Sequence, residues 1–138
     1  MRAVILGLVA AVAAGCGGGE ATAEMSAELQ FVRSGGIAGQ HDELTIQPNG
    51  DAKLTVRNGE EASFRLSDDE LKELQSALDD GLQGVDTDST SEQPAPDAFT
   101  YAISYGDEEV RTDDLSVPDE LTELLSTLTG IVEDHRPR

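Results

Sequence analysis

Tryptophan is missing from this chain, and three phenylalanines and two tyrosines are its whole aromatic complement. A core must therefore be built mainly from aliphatic side chains. Cysteine occurs once, at Cys16, which excludes an internal disulfide. With only His41 and His135 besides, the close-spaced Cys and His ligands of a zinc site are not available. Basic residues are few: 9 against 28 acidic ones, for a net charge of −19. Such a surface meets nucleic-acid phosphates with like charge, so nucleic-acid binding is excluded. No apolar run is long enough to cross a bilayer as a helix, because about 20 residues are needed. The Gly-x-Ser-x-Gly nucleophile elbow is also absent. The reading is of a protein that is not an enzyme, with no metal and no cofactor.

The start of the chain is distinctive. "MRAVILGLVAAVAAGC" sets Arg2 before an apolar stretch from Ala3 to Ala14, followed by small residues and Cys16. That is the anatomy of a secretion signal. The small residues before the cysteine resemble the bacterial lipobox, in which the cysteine is lipidated and becomes the mature N-terminus. Residues 1–15 then form a lipoprotein signal peptide. The polar, glycine-rich stretch 16–26 forms a flexible tether. Several acyl chains on Cys16 would anchor the chain stably to a membrane. The expected location is exported, on the extracytoplasmic face of the cell membrane, with contact to the bilayer through lipid alone.

From Ala27 the pattern changes. Leu29 and Phe31, Leu44 and Ile46, then Ala52, Leu54 and Val56, then Ala62, Phe64 and Leu66 alternate with polar residues. Period two signals strands with one buried face. Asn49-Gly50 and Asn58-Gly59 supply hairpin turns. "SDDELKELQSALDDG" predicts a helix, with Ser67 and Glu70 as a capping box, Leu71, Leu74 and Leu78 on one face, and Gly81 at its end. The Ser-, Thr-, Asp- and Pro-rich segment 82–97 reads as a mobile loop. Asp86, Asp88, Thr90 and Glu92 within it have alternate spacing, as in a calcium loop. Ser91 replaces the required glycine and no helix frames the segment, so a plain acidic loop is the better reading. Phe99, Tyr101, Ile103 and Tyr105 predict another strand, "EEVRTDD" its return, and Leu121, Leu124, Leu125, Leu128 and Val132 a last helix entered near Pro118. The order is β-β-β-β-α-β-β-α. This is an α+β fold, an antiparallel sheet with two amphipathic helices packed on one face. The domain is expected at 27–134, as a monomer, with 135–138 a disordered tail.

Between the first two strands lies "RSGGIAG": Arg33, Ser34, Gly35, Gly36, Ile37, Ala38 and Gly39. The glycines permit positive φ, a bulge or close backbone approach. Ile37 has two possible uses. It can tuck over the sheet edge as a plug, the simpler reading from residues alone, or it can be displayed to a partner.

The combination of "RSGGIAG", the hairpins, "RLSDDELKELQSAL" and "PDAFTYAISYGDEEVRTDDLSVPDELTELLSTL" resembles the emfourin family. These are small bacterial protein inhibitors of thermolysin-like zinc metallopeptidases. The similarity runs from Leu29 to Leu128, and the lipobox-like start departs from the family pattern. The resemblance implies that the glycine-rich loop enters a metallopeptidase cleft, with Ile37 filling its apolar pocket and Arg33 facing a partner carboxylate, although an arginine at a strand end more often faces solvent. The rival reading is a non-inhibitory envelope lipoprotein that acts as a binding or structural module.

Overall fold

Alternating apolar side chains bury themselves by lining up across neighbouring strands, and the register achieves this. The computed structural model describes residues 23–93 and 95–138. Its strands are β1 (Leu29–Gly35), β2 (Gln40–Ile46), β3 (Asp51–Val56), β4 (Glu61–Arg65), β5 (Asp88–Ser89), β6 (Phe99–Tyr105) and β7 (Glu108–Asp113). They form one sheet in the order β4-β3-β2-β1-β6-β7-β5. Every pairing is antiparallel except the short β5 alongside β7. Phe31 lies opposite Leu44 and Ile103, and these continue to Leu54 and Val110. Leu29, Ile46, Ala52 and Phe64 make a parallel row. Two rows on one face of the sheet are thus apolar, the first of them from β3 to β7 and the second from β4 to β1.

Two helices cover that face. The first, α1 (Asp68–Gly81), starts at the expected capping box: the Ser67 amide donates to Glu70 Oε2 at 2.7 Å and the Glu70 amide to Ser67 Oγ at 3.3 Å. A short 3-10 turn, Asp119–Leu121, leads into α2 (Thr122–Asp134). Leu71, Leu74 and Leu78 of α1 join Leu124, Leu128 and Val132 of α2 and the strand residues in one core cluster. The fold is α+β with two helices on one face, as the periodicity predicts.

Three boundaries differ from expectation. Segment 82–97 is tied to the sheet: β5 makes a seventh strand, and the Ser91 amide donates to Asp113 Oδ2 at 2.6 Å. The reason is local, because Asp113 is buried and needs N–H donors. At the N-terminal side, part of the expected tether belongs to the domain. Met25 is 4% exposed and its amide donates to the Pro48 carbonyl, while the Ser26 amide donates to Tyr105 Oη. The expected disordered tail is packed as well. The His135 ring stacks on Phe64 with centroids 3.7 Å apart, and Arg136 Nη2 reaches Asp42 Oδ2 at 2.8 Å. Two short aromatic and charged contacts suffice to hold it. The signal region and Cys16 lie outside the described residues.

The sheet has two poles. One carries the β2–β3 and β6–β7 turns and Met25; the other carries the β1–β2 loop, the β3–β4 turn and the end of α2. The length of β1, about 20 Å, separates them.

Candidate functional site

The β1–β2 ladder closes with Gly35 opposite Gln40, leaving Gly36, Ile37, Ala38 and Gly39 as the loop. The Gly39 amide donates to the Gly36 carbonyl at 3.0 Å, so these four residues form one tight turn. Ile37 stands at its tip and is 93% exposed. Display, not plugging, is what the structure shows for this side chain.

The loop is braced from beneath. The Gly36 amide donates to the Ala98 carbonyl at 3.3 Å, and Gly35 is paired with Phe99 of β6. Gly35 and Gly36 have φ of +110° and +73°, where L side chains are disfavoured. Space forbids a side chain too: a Cβ at Gly35 would collide with the Ala98 carbonyl oxygen, and one at Gly36 would lie 2.7 Å from the Phe99 ring. On the far side, Arg57 of the β3–β4 turn donates from Nη1 to the Ala38 carbonyl. The main chain under Ile37 is therefore gripped on both flanks.

Arg33 is not where the resemblance implies. It lies at the inward parity of β1, is 5% exposed, and cannot face a partner's carboxylate. Its Nε and Nη2 donate to Asp42 Oδ2 at 3.0 and 2.6 Å, and Nη2 also meets Glu133 Oε1 at 2.7 Å. Arg136 adds a third donor to Asp42 Oδ2, and the Phe99 ring lies 5.3 Å from the Arg33 guanidinium carbon. All donors converge on Oδ2, while Asp42 Oδ1 has no partner among the described residues. Burial acts to lower the Arg33 pKa, but hydrogen bonds to Glu133 and Asp42 outweigh it and raise it. The hydrogen bond from Arg33, helped by the charge of Arg136, holds the Glu133 carboxyl below its ordinary range. The ion network ties β1, β2, α2 and the chain's last residues together directly beneath the loop.

Phe99 is held in turn by Tyr101 and Asp114. The Phe99 amide and the Tyr101 hydroxyl donate to the two Asp114 oxygens at 2.9 and 2.6 Å. Burial, then this hydrogen bond to Asp114, pushes the Tyr101 phenol far above its usual range. Ser34 is half-buried, opposite His41 and Thr100, on the face of the sheet away from the helices.

Of the sequence-expected residues, Ile37, Ala38 and Gly39 form the exposed tip, the half-buried Gly35 and Gly36 form its braced base, and Arg33 forms its foundation. The sequence reading missed Asp42, Arg57, Phe99, Glu133 and Arg136. A signal for one of these exists: Asp42 continues the inward parity of Leu44-Ile46, as Arg33 does that of Leu29-Phe31, which marks a buried opposite-charge pair. In the acidic segment, Asp88 Oδ1 accepts from the Thr90 amide and hydroxyl at 3.0 and 2.6 Å, a local turn. Among the described residues no group of three or more His, Cys, Asp or Glu side chains is arranged to hold a metal ion. No family model and no curated protein sequence matches the chain.

Proposed function

We propose that this chain is a lipid-anchored inhibitor of a thermolysin-like zinc metallopeptidase, with the β1–β2 loop as the inserted element. One observation carries the reading: Ile37 is 93% exposed on a backbone fixed from both sides. A large aliphatic side chain held in solvent on a fixed backbone is free to enter a partner's apolar pocket as a buried anchor. A loop already fixed in shape loses little conformational entropy on binding, which favours slow release. A thermolysin-like cleft accepts an apolar side chain beside the scissile bond, and an isoleucine on a narrow glycine-flanked turn suits it in size and reach. The emfourin resemblance supplies the enzyme class; the exposed tip supplies the physical means.

The lipid anchor fits the same geometry. Residues 17–22 between Cys16 and the domain reach at most ~25 Å. The chain then joins the sheet at the pole opposite Ile37. An anchor at Cys16 would thus attach the domain through the pole away from the tip.

The test is titration of the chain against a thermolysin-like peptidase, beside Ile37→Asp. The substitution is expected to raise Ki at least tenfold while leaving stability within ~0.5 kcal/mol, because the side chain touches little of its own protein. Absence of inhibition at micromolar chain would overturn the inhibitor reading.

A further inference from the structure

Beside the Ile37 tip lies a cavity of about 420 Å³ between the β1–β2 and β3–β4 hairpins and the end of the chain. Ala38, His41, Asp42, Arg57, Glu60 and Arg136 are on its walls. We propose that this cavity is a carboxylate-binding subsite, built to take an acidic side chain of the partner protein on Arg57. The identity of that partner rests on the inhibitor reading; the chemistry of the subsite does not.

Charge is the first argument. The chain carries 28 acidic residues against 9 basic ones, so nearly every cation should have found a carboxylate. Arg33, Lys53, Arg65, Arg111 and Arg136 have done so. Of the described basic residues, Arg57, Lys72 and the terminal Arg138 have no carboxylate at ion-pairing distance, and of these three only Arg57 lines the cavity. Arg57 is not merely adrift in solvent, because its Nη1 is fixed to the Ala38 carbonyl. A guanidinium has five N–H donors, and here the remaining ones have no acceptor among the described residues. A planar donor edge held beside a cavity is the geometry that receives a carboxylate in two-point fashion.

The other charges on the walls do not cancel this. Asp42 is neutralised by Arg33 and Arg136, whose Nη2 atoms lie 2.6 and 2.8 Å from its Oδ2. Glu60 is the opposing group: its Oε2 accepts from Asn58 Nδ2 at 2.6 Å, so the carboxylate is turned toward its own turn. His41 also lines the cavity and is exposed. An acidic side chain is thus attracted by Arg57 and resisted by Glu60. The two residues should act with opposite sign.

Position gives the subsite its meaning. Arg57 binds the carbonyl of Ala38, the residue that follows Ile37. A partner that receives Ile37 in an apolar pocket must lay the rim of that pocket over this cavity. The inferred rim carries an aspartate or glutamate, and its engagement also locks Arg57 against the loop.

The experiment is a titration of the isotope-labelled full chain, kept in neutral detergent, with N-acetyl-glutamate α-methylamide, reading the Arg57 Nε–H and the Ala38 and His41 amides. The glutamine counterpart is the control. A saturable response to the glutamate probe, with Kd around the millimolar range and none for the glutamine probe, is expected. Arg57→Gln should weaken binding at least ~5-fold, and Glu60→Gln should tighten it ~2- to 3-fold. A merely loosened loop cannot produce that tightening. Equal response to both probes, or indifference to both substitutions, would overturn the subsite. A chain that binds the probe but blocks no peptidase supports the subsite and sinks only the inhibitor reading. Inhibition with Ki unchanged in both Arg57→Gln and Glu60→Gln removes the subsite and leaves the inhibitor.

Discussion

Arg33 of β1 and Asp42 of β2 are direct cross-strand partners, and both point into the helix-covered side of the sheet. Their row sits next to the Phe31–Leu44 row of the core, one step nearer the Ile37 loop. Asp42 is 1% exposed, so the pair is held in a medium where an uncompensated charge is costly. Apolar packing therefore ends, and ionic packing begins, beneath the displayed tip.

Breaking this pair from one side should be severe. Arg33→Met leaves Asp42 buried with Arg136 as its remaining cation, and Asp42→Asn leaves Arg33 without its closest carboxylate. Each substitution is expected to lower stability by about 3–5 kcal/mol. The double substitution Arg33→Met with Asp42→Asn should cost well under the sum, since neither charge of the pair is then left buried without the other. Denaturant unfolding of the four proteins measures the coupling. Single losses below ~1 kcal/mol would show that the network is not a structural foundation.

The glycine brace can be separated from ordinary turn strain. Gly36 and Gly59 both have positive φ, +73° and +82°. A Cβ at Gly36 would meet the Phe99 ring, whereas one at Gly59 would meet nothing within 4 Å. Gly59→Ala should lose only the left-handed penalty of about 1–2 kcal/mol. Gly36→Ala should lose more, and should also displace the Phe99 ring, visible as shifts at Tyr101 and Asp114. Equal losses at the two sites would mean that the Phe99 contact does not constrain the loop.

How much of this was open to the sequence differs between the fold and the site. The apolar alternation and the helical stripes are local signals, and each one places its residues correctly on the sheet or on α1 and α2. The Ser67–Glu70 capping box is also local and is formed. Arg33 was misplaced because a charge near a strand end ordinarily faces water; its burial depends on Glu133, a hundred positions away along the chain. The same applies to the tail. Nothing in "HRPR" by itself signals that His135 stacks on Phe64, because that pairing exists only once α2 crosses the sheet. The strand β5 was missed because two residues carry no periodicity. Exposure of Ile37 could not be decided from the glycines, which serve a flat turn and a projecting one equally well.

Acid should loosen the network through Glu133. Its folded-state pKa is lowered, chiefly by the Arg33 hydrogen bond. The group therefore adds stability above its unfolded pKa of about 4.3, and this is lost as pH falls through the lower folded value. Glu133→Gln lacks this titration. The stability gap between the natural chain and Glu133→Gln should be largest near pH 6 and should shrink toward pH 3. Because the Glu133 side chain is 52% exposed, the gap is expected to be small and to narrow further in high salt. A gap that stays constant across that range would show that the carboxylate charge does not contribute.

The last four residues offer the sharpest contrast between a frayed end and a working part. Removal of residues 135–138 deletes the His135–Phe64 stack and the Arg136 donor to Asp42. An aromatic pair contributes about 0.5–1.5 kcal/mol and a hydrogen bond to a charged group about 1.5–3. The shortened chain should therefore be less stable by about 2–4 kcal/mol, far beyond what trimming a solvated end would cost. Loss of Arg136 also leaves Arg33 as the main support of Asp42, so the effect should reach the loop. Amide exchange at Gly36 and Gly39 is expected to quicken in the truncated chain, while exchange at Leu29 and Ile46, at the other pole, changes less. If only global stability falls and the loop amides exchange in step with the rest, the tail stabilises the domain without bracing the tip.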